Sequence, residues 1–484
     1  MSKDSTTRPA MLLAAGRTLG FAVAFLLPII LVRIFTKEEF GTYKQIFLFA
    51  GLFMGFGQVG MAESLYYFLP RGPERAGRYV ANTLLMLCMT GTICLLLLTV
   101  GANAVANWSN NPGLLTYMPT LGVFVALSLF AIGFEIVLVG CREYKFASIL
   151  YGSSDAVRAL ALLIPILLTG SLWALLAGAV IFAALRSGTM VWYLGKRFKR
   201  EFRPDLALLK EQLKYAIPFT LAAYASFNPL NLLVVGWVST ATFAVYMNGV
   251  TEVPIVDLLF NSYGNVLMVR MGEEIKHGRA VVGLWHDVVE KLALIFLPLT
   301  AALLLTSREL IRFLYTDQYL ASVPIFTAYC PTILLAILPI DCVLRTFAKT
   351  RAILFLYLGR LIVMVACTSF FLRHFGLVGA VVFGFAVYAL LKAVAVVYIG
   401  RTLMKVKVSE YLPWRFLGLT LLASLIAVLP AALVKAQLDL KPMWVGGITT
   451  LVYGAVYIAL AIVFGLLPAL DVRQRLRFIL NPGR

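Results

Sequence analysis

Fourteen apolar segments of about 20 residues each constrain this 484-residue chain more than any other feature. They run over 11–34, 43–66, 79–100, 117–139, 148–169, 172–193, 213–238, 243–269, 289–306, 323–344, 352–372, 377–399, 416–434 and 443–467. A helix needs about 20 apolar residues to cross the hydrocarbon core of a bilayer. Within lipid every backbone polar group must be satisfied by the chain itself, and for runs of this length that means helices. Composition agrees: 61% of residues are hydrophobic and 13% charged, against about 25% charged in soluble domains. The sequence predicts an all-α polytopic membrane protein. Its first run is too long for a signal-peptide core and lacks a small-x-small cleavage site, so it is read as a span.

The charges then orient the chain. With the N-terminus inside, 29 of the 42 Lys and Arg fall on the inner side and 8 on the outer side. The richest inner segment is KRFKREFRPDLALLKEQLK, residues 196–214. That asymmetry is the positive-inside rule, and it predicts that both termini are cytoplasmic. The net charge of +19 is thereby explained by topology, and no nucleic-acid partner is needed. Six cysteines form no pair in an outer loop, and the three histidines have no ligand-like spacing. No disulfide framework, metal or cofactor is expected, and no nucleotide-binding loop is present.

An internal repeat divides the chain. FTKEEFGTYKQ follows the first span and VSTATFAVYMN the seventh, aligning Phe40 and Tyr43 with Phe243 and Tyr246 at an offset of 203. Leu172 aligns with Leu377 at 205. An even number of spans per repeat gives two lobes of the same orientation. The expected organisation is a six-helix lobe over 1–195, a basic linker over 196–212, a second six-helix lobe over 213–405, and two further helices with a basic tail over 406–484.

FTKEEFGTYKQIF and IRFLYTDQYLASVPIF (311–326) together resemble the polysaccharide-transport branch of the multidrug/oligosaccharidyl-lipid/polysaccharide (MOP) exporters. The resemblance implies a fold like that of the MATE transporters and lipid II flippases: two pseudo-symmetric six-helix bundles around a central cavity, with alternating access. It also implies a Wzx-like flippase that moves undecaprenyl-diphosphate-linked oligosaccharide from the cytoplasmic to the outer leaflet. The cargo would be a repeat unit of O-antigen (lipopolysaccharide), capsule or exopolysaccharide. Its partners would be that lipid-linked oligosaccharide, membrane lipids and the polymerase or export machinery.

Within the spans, cations stand out, because an arginine mid-span costs roughly 2.5–3.5 kcal/mol on insertion scales. Arg186 and Lys392 lie in the cytoplasmic thirds of their spans and are expected to snorkel. Arg158 and Arg360 lie mid-span at equivalent places, 202 residues apart. Asp155 offers Arg158 a partner on the same helical face, whereas Arg360 has no acidic neighbour in its own span and is expected to face a hydrated cavity. Arg17 either snorkels or faces that cavity; the related lipid II flippases place a first-span arginine there. Guanidinium forks suit the oxygens of a diphosphate, so Arg17, Arg158 and Arg360 are the candidate cargo-binding residues. Around Pro254 the eighth span carries Asn248, Glu252, Asp257, Asn261 and Asn265, and the seventh carries Asn228 and Asn231 around Pro229. Broken polar helices at membrane depth line cavities, so the five asparagines are read as lining, with Glu252 and Asp257 as candidates for ion coupling. Glu63, Glu135 and Asp341, near cytoplasmic helix ends, are expected to pair with inner-loop bases such as Arg71, Arg142 and Arg345.

Two other classes stay open at this stage. An ion-coupled drug or cation exporter would want deep carboxylates without competing arginines. A polysaccharide polymerase or ligase would want a large outer loop with a catalytic cluster, and the longest outer connections, 101–116 and 307–322, have none. Transport, without enzymatic activity, is the expectation.

Overall fold

The computed structural model describes residues 26–141, 143–198, 201–225, 227–274 and 279–467. Arg17 lies outside them. The described residues are helical throughout, with no strand among them. Among the described residues eight helices are long and apolar enough to cross a membrane, or ten if each of two bent pairs is one span. One of the eight, Thr350–Met404, covers two of the expected spans. Inside it Gly376 takes φ 64°, the left-handed region that glycine enters without steric cost. Phe371 and Phe383 stack at 4.2 Å, whereas twelve residues of unbroken helix would separate them by about 18 Å. The chain therefore doubles back at Gly376 into two legs.

Packing separates the chain into two compact units, one running to Phe227 with Asn231–Ala244, the other comprising Asn228–Leu230 and everything from Val245. In the first unit Ala76–Val100 packs on Leu114–Ala131, which also receives Lys37–Gly57 and Leu172–Phe198. Small residues permit this closeness, as they do in membrane helix pairs generally. A Cβ on Gly122 of Leu114–Ala131 would meet the Leu95 backbone of Ala76–Val100 at 3.1 Å. The basic linker is docked too: Asn82 exchanges two hydrogen bonds with the Asp205 backbone, at 2.8 and 3.0 Å. Asp205 caps Leu206–Ala225 by accepting from Ala207 N at 3.0 Å and Leu208 N at 3.3 Å. The Leu208 amide first, then the Ala207 amide and the Arg78 guanidinium, hold its carboxyl below the usual carboxylate range.

The motif that marks the repeat is a helix start. Thr36 and Glu39 form a capping box for Lys37–Gly57. Ser239 caps Thr240–Gly249 by accepting from Thr242 N at 3.3 Å, and it lies 203 residues beyond Thr36. Phe40, Phe243 and Tyr246 are all fully buried. The repeat thus marks one capped, aromatic-anchored helix entry used twice.

In the second unit Arg279–Leu305 packs on Trp414–Gln437, which packs on Pro442–Val463. Ala423, Ala427 and Ala431, one turn apart and fully buried, face this core together with Tyr453 and Tyr457. Tyr457 OH donates to Leu294 O at 2.8 Å. Ala427→Leu should therefore lower stability by about 1–3 kcal/mol through overpacking. Thermal unfolding in detergent measures it, and an unchanged midpoint would mean that this seam is loosely packed.

Four sequence expectations are corrected here. Arg186 does not snorkel: its Nη2 binds both oxygens of Glu135, which is 7% exposed, so Glu135 pairs within the helices and not with an inner-loop base. Lys392 does not snorkel either. It is 1% exposed, and its Nζ donates to Leu338 O at 2.7 Å. Asp341 also finds a partner inside, accepting from Tyr357 OH at 2.6 Å.

Candidate functional site

The eighth expected span is broken, as its proline and polar density suggested. Thr240–Gly249 and Pro254–Glu274 meet at 51°. Pro254 opens the second helix, where its missing N–H removes nothing from the helical ladder. Thr251 fastens the break, donating to Asn248 O at 2.9 Å and sharing a 2.8 Å hydrogen bond with Tyr315 OH. Glu252 sits in the break and Asp257 within the first turn beyond it.

Both carboxylates line a cavity of about 260 Å³ in the second unit. Tyr329 closes another side, and Tyr388 and Lys392 come from the far leg of Thr350–Tyr398. The Lys392 ammonium lies 5.3 Å from the Tyr388 ring centre and 5.7 Å from that of Phe260. From the near leg, the Arg360 guanidinium lies 5.2 Å from the same Tyr388 ring and 5.4 Å from Tyr357. One tyrosine thus serves two cations from two legs, and cation–π attraction strengthens where water is excluded. The cavity holds two carboxylates and one ammonium, with Arg360 one ring away. That set can accept and release a small cation or a proton.

The remaining sequence candidates are placed as follows. Arg158 is half-buried on Tyr144–Thr169, and the Asp155 side chain lies outside the described ones. Asn228 is exposed, and its Oδ1 accepts from Leu230 N at 3.3 Å, starting the short helix Leu230–Val235. Asn231 is half-buried, and Asn261 and Asn265 are exposed. None of the five asparagines lines the cavity that holds Glu252 and Asp257. Asn248 is fully buried with both amide atoms unpartnered among the described residues. Its repeat counterpart Gln45, equally buried, bonds Ser109 O at 3.1 Å and Asn111 Nδ2 at 2.7 Å. Sequence reasoning missed Lys392, Tyr329 and Tyr388 as site residues. A signal was present, since Tyr388 stands one turn before Lys392 and Tyr357 three residues before Arg360.

Residues 30–324 match the model of the polysaccharide biosynthesis protein family. The chain belongs to that family. No curated protein matches this polysaccharide biosynthesis protein. Among solved structures it is similar to the lipid II flippase MurJ in an inward closed conformation. There the TM-score is 0.76 at 12% identity, over 95% of this chain and 99% of that one. An inward-facing multidrug resistance MATE family transporter of the MOP superfamily gives 0.64 at 15% identity, over 80% and 94%. A MOP superfamily transporter from Pyrococcus furiosus gives 0.56 at 15%, over 82% and 95%. At such identities the likeness shows the fold alone, a helical fold like that of these flippase and transporter structures. This polysaccharide biosynthesis protein is a multi-pass membrane protein.

Proposed function

We propose that the protein is a flippase that carries undecaprenyl-diphosphate-linked oligosaccharide from the cytoplasmic to the outer leaflet by alternating access. The carrying observation is the pairing of a polysaccharide biosynthesis sequence with a near full-length likeness to a lipid II flippase. Arg17, Arg158 and Arg360 are the proposed contacts to the diphosphate, with Asn228, Asn231, Asn248, Asn261 and Asn265 as polar lining for sugar. Glu252 and Asp257 are the proposed coupling groups, in the cavity they share with Lys392. The setting is the bacterial inner membrane with both termini cytoplasmic, where the inside-negative potential favours expulsion of an anion by roughly 2.3 kcal/mol per charge per 100 mV. Polysaccharide polymerase and export machinery are the proposed downstream partners.

A cation or drug exporter is the second reading, favoured by the two carboxylates in one cavity. Deleting the gene separates the two. A flippase defect accumulates sugar-linked lipid on the inner leaflet, whereas an exporter defect raises drug sensitivity without it. In the deletion strain, Arg360→Ala should restore export poorly. Arg360→Lys should restore it partly, because lysine keeps the charge and loses the planar fork. A charge-assisted contact of about 1.5–3 kcal/mol corresponds to a tenfold to hundredfold loss in cargo affinity. Full export by both variants at matched protein levels would remove Arg360 from the cargo site.

A further inference from the structure

We propose that a cleft at one membrane face of the second unit binds a zwitterionic phospholipid whose head carries a primary ammonium. The cleft measures about 570 Å³ and lies where Arg279–Leu305 and Trp414–Gln437 begin and Pro442–Val463 ends. Three spans have their ends there, so the cleft opens at the depth of lipid headgroups. Its wall is fixed. Trp285 Nε1 donates to Tyr411 O at 2.9 Å, and a His286 ring nitrogen bonds Glu410 O at 2.9 Å. These two bonds pin the connection before Trp414 against Arg279–Leu305.

The lining has charges of both signs. Arg415 stands on one side, with Glu290 and Glu410 on the walls formed by the other elements. The Glu410 carboxylate accepts from Lys407 N at 3.3 Å. Neither the Arg415 nor the Glu290 side chain makes a hydrogen bond or ion pair among the described residues. A guanidinium matches a phosphate diester, and carboxylates match an ammonium that still carries N–H. Two carboxylates against one arginine disfavour an anionic head, which would bring further negative charge to a site that already holds it. Trp414, 53% exposed beside Arg415, is the kind of amphipathic ring that settles at a membrane interface. Beyond the cleft the same helix exposes Leu422, Leu425, Leu429 and Leu433, a bare apolar strip along which acyl chains can lie. Head and tail thus each have a matching surface on one helix. This inference stands apart from the transport reading.

The test uses the full-length protein, purified in mild detergent and reconstituted in discs of equal parts phosphatidylethanolamine, phosphatidylcholine and phosphatidylglycerol. Retained lipid is identified by mass spectrometry. Phosphatidylethanolamine should be enriched roughly tenfold over each of the others, the scale of one charge-assisted hydrogen bond. Phosphatidylcholine is the critical comparison, because it keeps the phosphate and zero net charge but has no ammonium N–H. Glu290→Gln with Glu410→Gln should erase that discrimination, while Arg415→Gln should reduce retention of all three. Unfolding midpoints measured without added lipid check that the variants fold. Equal retention of phosphatidylethanolamine and phosphatidylcholine overturns the proposal, as does preference for phosphatidylglycerol. Retention of no lipid, as when a segment of protein covers the cleft, also overturns it.

Discussion

Glu135→Leu is expected to destabilise the first unit by about 3–5 kcal/mol, because it strands Arg186 without its counter-charge inside a helix bundle. The Arg186 side chain is 26% exposed and that of Glu135 only 9%, so water screens the pair weakly. Both guanidinium–carboxylate contacts run through Nη2, and Arg186 Nε has no partner among the described residues, so the pair has little to fall back on. Arg186→Leu should cost a similar amount for the mirror reason. The double variant, Glu135→Leu with Arg186→Leu, is the informative one. Replacing both charges by apolar groups of similar volume is often neutral or stabilising, so the two losses should largely cancel in a double-mutant cycle. Thermal unfolding in detergent gives all four corners. Additive losses, or a single Glu135→Leu within about 0.5 kcal/mol of the parent, would show that the pair is incidental.

What the sequence disclosed and what it hid divide by range. The repeat was legible as Phe40 and Tyr43 matching Phe243 and Tyr246 at one offset; that it marks two helix caps, Thr36 with Glu39 and Ser239, comes from the structure. The break at 250–253 was legible from Pro254 among polar neighbours, because proline and unsatisfied backbone polar groups act locally. The fold class followed from the length of the apolar runs. Arg186 and Lys392 were misread because depth along a span says nothing about the partner across it. Glu135 lies 51 residues from Arg186, and Leu338, whose carbonyl holds Lys392, lies 54 residues away. For the same reason a neighbouring base is the local expectation for Asp341, when its partner is a tyrosine two turns into the next helix. The Tyr388–Lys392 contact is local, one helical turn, but nothing local could have indicated that Arg360 reaches the same ring from the other leg.

Lys392→Met should abolish export and cost stability by about 3–5 kcal/mol, the scale for leaving buried charge uncompensated. Glu252, Asp257 and Lys392 share about 260 Å³, and like charges at short range in a low-dielectric interior repel strongly. The ammonium brings the opposite charge to the same cavity, and its 2.7 Å bond to Leu338 O ties the far leg to the stretch between Thr332–Leu335 and Ile340–Thr346. Methionine keeps the length and apolar stem while removing both the charge and the tie. If charge is the main loss, adding Asp257→Asn should return abundance toward that of the parent, because it lowers the negative charge the cavity must hold. Export should stay absent in the double variant, since one of the two proposed coupling carboxylates has gone. Glu252→Gln alone should impair export with abundance intact. Membrane abundance and sugar-lipid export at matched levels are the two readouts, and they separate fold from mechanism. Export at the parental rate from Lys392→Met would show that the cavity takes no part in transport and that its charges are structural.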